Sequence, residues 1–126
     1  MILILSDHST ETLQQQLVQQ IRALILSGDL EDSAELPSIR ALAAEQKVSV
    51  ITVQRAYETL ERHGLIRPRR GKGFQVVALH PEERKSLAIA RFEEAVQPQL
   101  EQAQAEGLNA DELLASISRM LDGVPS

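Results

Sequence analysis

The spacing of apolar residues between positions 36 and 77 predicts two short helices followed by two short strands. Ser38 and Ser49 each precede a helical stripe, and a serine hydroxyl at that position can cap the start of a helix. Gly64 ends the second helix, because glycine adopts the left-handed conformation at little cost. The first stripe consists of Ile39, Leu42 and Ala43, and the second of Val53, Ala56, Tyr57 and Leu60. Two helices joined by such a short turn predict a helix-turn-helix.

The segment between the two strand-like runs, 65–67 and 74–77, is a basic hairpin. Its glycines, Gly71 and Gly73, permit the tight backbone of a hairpin turn. Its predicted contact residues are Arg69, Arg70, Gly71, Lys72 and Gly73. Such a basic run alone is as consistent with a solvated loop as with a binding surface. Directly after a helix-turn-helix it predicts a wing, with its tip in or beside the minor groove of DNA.

A helix is also predicted over 10–27, where apolar residues recur at helical spacing before Gly28. We expect this helix to cover the helix-turn-helix core. The acidic residues between Gly28 and Leu36 lack the spacing of a calcium loop, so they predict a solvated connector. Residues 2–5 are apolar and leave alternatives open: a short strand added to the wing sheet or to a partner, or a frayed end.

The carboxyl-terminal third predicts two amphipathic helices, over about 82–106 and 110–121. Pro98 interrupts the first, so we expect a bend near Val96. Asn109 and Glu112 have the spacing of a capping box before the second. Two helices are too small to bury their own apolar faces. We therefore predict a symmetric dimer through Ile89, Phe92, Val96, Leu100, Leu113, Leu114, Ile117 and Leu121.

Composition changes this picture mainly through charge. The chain of 126 residues is 43% hydrophobic, 25% charged and 2% aromatic, which predicts a soluble globular protein with an aliphatic core. Its net charge of −5 argues against nucleic acid, but residues 36–77 hold eight Lys or Arg and three Asp or Glu, a local net charge of +5. Cysteine is absent, which excludes disulfides and thiolate metal sites and fits a cytoplasmic protein.

Three consecutive motifs resemble the amino-terminal domain of GntR-family bacterial transcription regulators. They are LPSIRALA at 36–43, VS-x-x-TV-x-RAYETLE-x-x-GLI at 48–66 and RRGKGFQV at 69–76, within a resemblance that spans 13–77. The short remainder resembles the YtrA-type subfamily. The resemblance implies a mainly α protein with a small β-hairpin. Its winged helix-turn-helix domain would occupy 1–79 and its two-helix dimerisation region 80–126. It also implies a homodimeric repressor on a palindromic operator, often of a transporter operon, with no effector named.

The residues expected to contact DNA lie on both predicted helices. The resemblance makes Arg40 a phosphate or base contact, although a surface salt bridge is the alternative. Arg55 either contacts DNA or faces a glutamate of its own helix, and His63 is either near phosphate or simply exposed. Where the family often has arginine or polar residues, Val50 and Ile51 can touch thymine methyls and Gln54 can pair with adenine. The predicted helix contacts are Arg40, Ser49, Val50, Ile51, Thr52, Gln54, Arg55 and His63.

Enzyme motifs are not found in the sequence. His8, His63 and His80 fall in separate predicted elements, which predicts no metal site, and Gly71-x-Gly73 lacks the third glycine of a dinucleotide loop. The apolar residues 1–5 are too few for a signal peptide or membrane span. We expect no catalytic activity, no cofactor and no membrane association. Two other functions remain open: a protein–protein adaptor, and an architectural DNA-binding protein with little sequence preference.

Overall fold

The computed structural model of the chain describes residues 1–71 and 73–124. The elements are α1 (Leu13–Ser27), α2 (Ile39–Gln46), α3 (Val50–Arg62), β1 (Ile66–Pro68), β2 (Phe74–Val76), α4 (Pro81–Ala105) and α5 (Ala110–Asp122). β1 and β2 pair antiparallel, with Ile66 opposite Val76. The predicted winged helix-turn-helix with following helices is confirmed. The chain forms two compact units, one of residues 1–85 and one beginning at Ser86. The functional division at residue 79 stays a prediction.

Helix α1 begins at Leu13, three residues later than the sequence predicts. Thr12 is the N-cap: its hydroxyl accepts a hydrogen bond from the backbone N–H of Gln15 at 3.1 Å. The Gln15 side chain accepts one from the Thr12 N–H at 2.9 Å. This reciprocal capping box holds Thr12 in an extended conformation, so the helix cannot continue back to Thr10.

The core of the first unit is aliphatic and lies between α1, α2 and α3. Its most deeply buried members are Leu17, Ile21, Ile25, Leu42, Val53, Leu60, Leu65, Ile66, Val76 and Tyr57. The Tyr57 hydroxyl donates to the Pro37 carbonyl at 2.7 Å, and its ring meets Phe74 edge-on at 5.1 Å between centroids. Burial raises the pKa of this phenol. Tyr57 therefore fixes α3 to the wing, which agrees with its predicted core position.

The acidic segment before α2 has exposed carboxylates, as expected of a solvated connector, and its backbone is in addition bonded to the wing. The Leu36 N–H donates to the Phe74 carbonyl at 2.9 Å, and the Ser33 N–H donates to the Val76 carbonyl at 3.0 Å. Val76 returns a hydrogen bond to the Ala34 carbonyl at 2.9 Å. The segment thus lies along β2 on the side away from β1, since the open edge of β2 leaves backbone groups available for pairing.

Residues 1–6 are neither a strand of the wing sheet nor a frayed end. The backbone of Ile4 exchanges two hydrogen bonds with the side-chain amide of Gln20, at 2.8 and 2.6 Å. Ser6 exchanges two with the amide of Gln16, both at 2.8 Å. Leu3 is only 8% exposed, whereas its neighbours Ile2 and Ile4 are exposed. Two glutamines one helical turn apart therefore hold this segment along α1.

The linker after the wing is held by the acidic segment. Asp32 accepts a hydrogen bond from the Leu79 N–H at 3.4 Å and forms an ion pair with Arg84. The hydrogen bond from Arg84 lowers the pKa of the Asp32 carboxyl below its ordinary value, against an opposing contribution from desolvation. The first turn of α4 is consequently part of the first unit.

Helix α4 continues through Pro98 from Pro81 to Ala105, so the proline does not break it. The bend predicted near Val96 stays a prediction. Helix α5 starts as predicted: Asn109 and Glu112 form a capping box, with hydrogen bonds of 2.9 and 3.0 Å. No helix in the part of the chain that the structure describes has the length and apolar character needed to span a membrane.

Candidate nucleic-acid interface

The first turn of α3 is capped by Ser49, as predicted. The Ser49 hydroxyl accepts from the Thr52 N–H at 3.1 Å, and its oxygen lies 2.7 Å from the Thr52 hydroxyl oxygen. Both hydroxyls thus have a partner within the protein. Only one of the two hydroxyls donates in their mutual contact, so the other keeps its proton for a phosphate oxygen.

The exposed surface of this turn is largely aliphatic. Val50 and Ile51 are each 48% exposed, on a helix whose other outward positions are polar or charged. Gln54, one turn further, donates from Nε2 to Glu58 Oε1 at 3.3 Å. Such a surface offers methyl contacts first and amide hydrogen bonding second.

Two arginines of the helix-turn-helix have no ion pair among the described residues. Arg40 on α2 and Arg55 on α3 are both exposed. The salt bridge that the sequence allows for Arg40 is not formed there, and Arg55 does not pair with Glu58 or Glu61. Their charges are thus available to an external anion, although their contact with DNA stays a prediction.

His63 lies at the carboxyl end of α3 as its C-cap residue. Its Nδ1 is 3.1 Å from a guanidinium nitrogen of Arg22 on α1. This contact joins α1 to the end of α3. It leaves both sequence-based alternatives open, phosphate contact and a surface position, since His63 is exposed.

The wing forms the predicted tight turn. Gly71 and Gly73 have φ values of 69° and 74°, and the Arg69 N–H donates to the Gly73 carbonyl at 2.6 Å. Arg70 is exposed, whereas the Arg69 guanidinium forms an ion pair with Glu35. Lys72, also predicted as a wing contact, lies outside the described residues. The two described arginines of the turn therefore differ in how far their charge is compensated.

Sequence reasoning missed Arg67 of β1. With the Gln75 amide oriented to place its oxygen toward Arg67, that oxygen accepts from the arginine Nε at 2.8 Å and from a terminal nitrogen at 2.9 Å. Arg67 lines a surface depression of about 500 Å³ together with Pro68, Arg69, Arg70 and Gln75. Arg67 is exposed and pairs across the sheet with Gln75, whereas Leu65 and Ile66 before it are both buried.

Helices α4 and α5 line an apolar groove of about 370 Å³ within the second unit. Phe92 is 55% exposed and Leu121 64% exposed, and no side chain of either helix is fully buried. Six of the eight predicted dimerisation residues line this groove: Phe92, Val96, Leu100, Leu113, Ile117 and Leu121. Ile89 and Leu114 are exposed outside its lining, at 50% and 65%. The groove is an apolar surface of the kind that a partner covers.

Comparison with known proteins agrees with this structure. Residues 13–76 match the family described as "Bacterial regulatory proteins, gntR family". The uncharacterized HTH-type transcriptional regulator YhcF of Bacillus subtilis is 30% identical over 115 residues, covering 91% of this chain and 94% of that protein. The HTH-type transcriptional repressor YtrA of the same species is 36% identical over 69 residues, 55% of this chain and 53% of that protein.

A solved GntR family transcriptional regulator from Listeria monocytogenes superposes with a TM-score of 0.75. It shares 25% sequence identity, over 91% of this chain and 98% of that one. The chain spans about half the length of YtrA but nearly all of YhcF and of the Listeria protein. The sequence match and the winged fold together show that this chain belongs to the GntR family of bacterial transcription regulators, with YtrA-type members among its relatives.

Proposed function

We propose that the protein is a homodimeric repressor that binds a palindromic operator. The observation that carries the proposal is the exposed aliphatic pair Val50 and Ile51 in the first turn of α3. Arg55 on the same helix and Arg40 on α2 are exposed and have no ion pair among the described residues. This exposed aliphatic pair is available for apolar contact with a ligand. Thymine methyls in the major groove supply such a contact, while the arginines bind the flanking phosphates.

The apolar groove of α4 and α5 supports the homodimer. A second copy of the chain can cover this groove, because a two-fold axis brings the same apolar face of each copy together. The same axis would present two recognition helices to two half-sites of one palindrome. Joining the half-sites raises apparent affinity through effective concentration, so dimerisation would be part of DNA binding.

Repression and target type rest on relatives. The YtrA protein of Bacillus subtilis is named a repressor, and its similarity to this chain supports the same sign of regulation. Control of a transporter operon is suggested by the resemblance to that subfamily alone. A repressor of this kind acts in the cytoplasm, where the bacterial chromosome lies.

The test is a binding titration with two fluorescent duplexes of equal length. One carries the region upstream of the protein's own gene, and the other a shuffled version of it. We expect tighter binding to the first by a factor of about 10³ or more at physiological salt. Equal binding to both would indicate an architectural protein, and binding to neither an adaptor; either result overturns the proposal.

A further inference from the structure

The outward face of the wing sheet carries a row of polar side chains. Glu35 forms a bridge with Gln75, which pairs in turn with Arg67 of β1. Residues opposite one another on neighbouring strands have side chains on the same face, about 4.5–5.5 Å apart at Cβ. Arg69 is two residues beyond Arg67 and reaches back along this face to Glu35.

The three arginines that line the depression differ in how their charge is balanced. Arg67 donates two hydrogen bonds to the neutral amide of Gln75 and forms no ion pair among the described residues. Its guanidinium is therefore held in place with its charge intact. Arg70 is exposed and likewise has no ion pair there. Of these three, only Arg69 has a carboxylate partner within the part of the chain that the structure describes, so the depression that they line is positively charged.

We propose that this depression, the wing groove, binds a backbone phosphate of DNA through Arg67 and Arg70, and that Glu35 withholds Arg69 from it. The inference rests on the proposed DNA-binding function. It assigns Arg67 as a contact residue for phosphate and Glu35 as the residue that restrains Arg69. In the wild type, Arg69 positions the wing through Glu35 and does not bind phosphate. Neutralising Glu35 releases Arg69 as an additional phosphate contact.

The geometry suits a phosphate of the DNA backbone. A guanidinium presents a planar fork of donors that matches two phosphate oxygens, and Arg67 keeps donors free beyond the two that Gln75 occupies. Because Gln75 orders the side chain beforehand, binding costs less conformational entropy. The Glu35 side chain is 70% exposed, and an exposed ion pair is weak, so a single substitution is enough to shift the balance.

The contact residue is tested with Arg67→Ala in the full chain, on a random-sequence duplex. The slope of log affinity against log salt should become shallower by about 0.9, the value for one lost phosphate contact. Lys85→Ala is the control, since it removes an exposed cation without an ion pair in the described structure. Arg67→Lys keeps the charge and should retain most of the slope. Equal slopes for Arg67→Ala and Lys85→Ala would overturn the assignment.

The restraining residue is tested with Glu35→Gln against Glu31→Gln. Both remove one charge from the same exposed segment, but Glu31 forms no ion pair among the described residues. Glu35→Gln should tighten binding and steepen the salt slope by about 0.9, whereas Glu31→Gln should not. In the Arg69→Ala background, Glu35→Gln should produce no such gain, because the cation that it would release is absent. A gain that persists without Arg69 would refute the restraint.

Two further readouts separate the possible failures. Urea unfolding checks that each variant is folded, and Arg67→Lys covers the case in which Arg67→Ala is not. Wild-type protein that binds no duplex defeats the proposed function and the wing groove together, whereas normal binding with an unaltered Arg67→Ala slope defeats only the groove. Inorganic phosphate is titrated alone, monitored by the Arg67 side-chain NMR signal; saturation at micromolar phosphate would assign the site to a free anion and overturn the DNA assignment.

Discussion

At the scale of single residues, the aliphatic pair Val50 and Ile51 makes a chemically specific prediction. Replacing thymine by uracil in a selected binding site removes only the 5-methyl group. If these side chains cover thymine methyls, each replacement should weaken binding by about 0.8 kcal/mol, roughly fourfold. Val50→Ala/Ile51→Ala protein should be indifferent to the same replacement. Fluorescence anisotropy measures both, and a wild type that binds uracil-containing duplexes equally well excludes methyl readout.

Gln54 predicts a sequence-dependent loss. If its amide leaves Glu58 and pairs with adenine, Gln54→Ala should lose about 1–3 kcal/mol on the operator and little on random DNA. Gln97→Ala is a matched control, because Gln97 makes the same kind of hydrogen bond to Glu101 on α4, at 3.2 Å. A loss of equal size on both duplexes would instead make Gln54 a phosphate contact.

Lys47, in the turn between α2 and α3, predicts a stability effect. It adopts the left-handed conformation with φ 57° and ψ 43°, which a residue with a Cβ adopts at a cost. Lys47→Gly should therefore raise the free energy of unfolding by about 1 kcal/mol, and Lys47→Asn by less. Lys85→Gly, inside a helix, should lower it by about 1 kcal/mol. Urea denaturation measures the free energy of unfolding of each variant. A destabilised Lys47→Gly protein would show that the left-handed conformation of Lys47 carries no such cost.

At the scale of elements, α1 organises a segment that has no regular secondary structure of its own. Gln16 is 6% exposed and bonds three backbone groups, two of Ser6 and one of Glu11. The Gln16 Nε2 group donates to the Glu11 carbonyl at 3.0 Å. The side-chain amides of Gln16 and Gln20 thus supply hydrogen-bond partners to the backbone of residues 4 and 6, as a neighbouring strand does in a sheet.

This arrangement predicts that Gln16→Ala destabilises the first unit by about 1–3 kcal/mol, the cost of unsatisfied buried polar groups. Gln19→Ala, exposed on the same helix, should change stability by about 0.5 kcal/mol or less. Hydrogen exchange should also show a faster-exchanging Ser6 amide in the first variant only. Equal unfolding midpoints for the two variants would show that the segment contributes nothing to stability.

At the scale of the whole molecule, the groove of α4 and α5 decides the predicted oligomeric state. Burying a side chain such as Phe92 contributes about 1.5–3 kcal/mol before entropic costs. Phe92→Glu should therefore yield a folded monomer with much weaker operator binding, because a charge would be buried in the interface. A chain ending at Lys85 should also be a monomer with much weaker operator binding. It should remain folded, since it keeps the Arg84–Asp32 contact. Sedimentation equilibrium measures both.

Ala90→Glu is the control for charge alone, since Ala90 is exposed on α4 and does not line the groove. It should remain dimeric and bind the operator normally. If Phe92→Glu protein still sediments as a dimer, the interface lies elsewhere, and the apolar residues of α1 become the next surface to test.

Sequence alone was sufficient for the fold class and, to within about one residue, for most element boundaries. Ser38, Ser49 and Asn109 act as caps where the sequence places them, and the apolar stripes of α1, α2 and α3 form the core. These signals connect residues within one or two helical turns, so they are legible in the linear chain. The later start of α1 was also legible, since Thr12 and Gln15 have capping-box spacing.

Only the tertiary structure decided which charges and backbone groups find partners. Glu35 meets Arg69, Asp32 meets Arg84, and the acidic segment joins β2, although each pair is distant in sequence. No local pattern encodes these contacts, because they depend on how the chain folds back beside the wing. Sequence therefore identified a basic wing, whereas the fold distinguished Arg69, which pairs with Glu35, from Arg67, which does not, and the proposed phosphate contact depends on this difference.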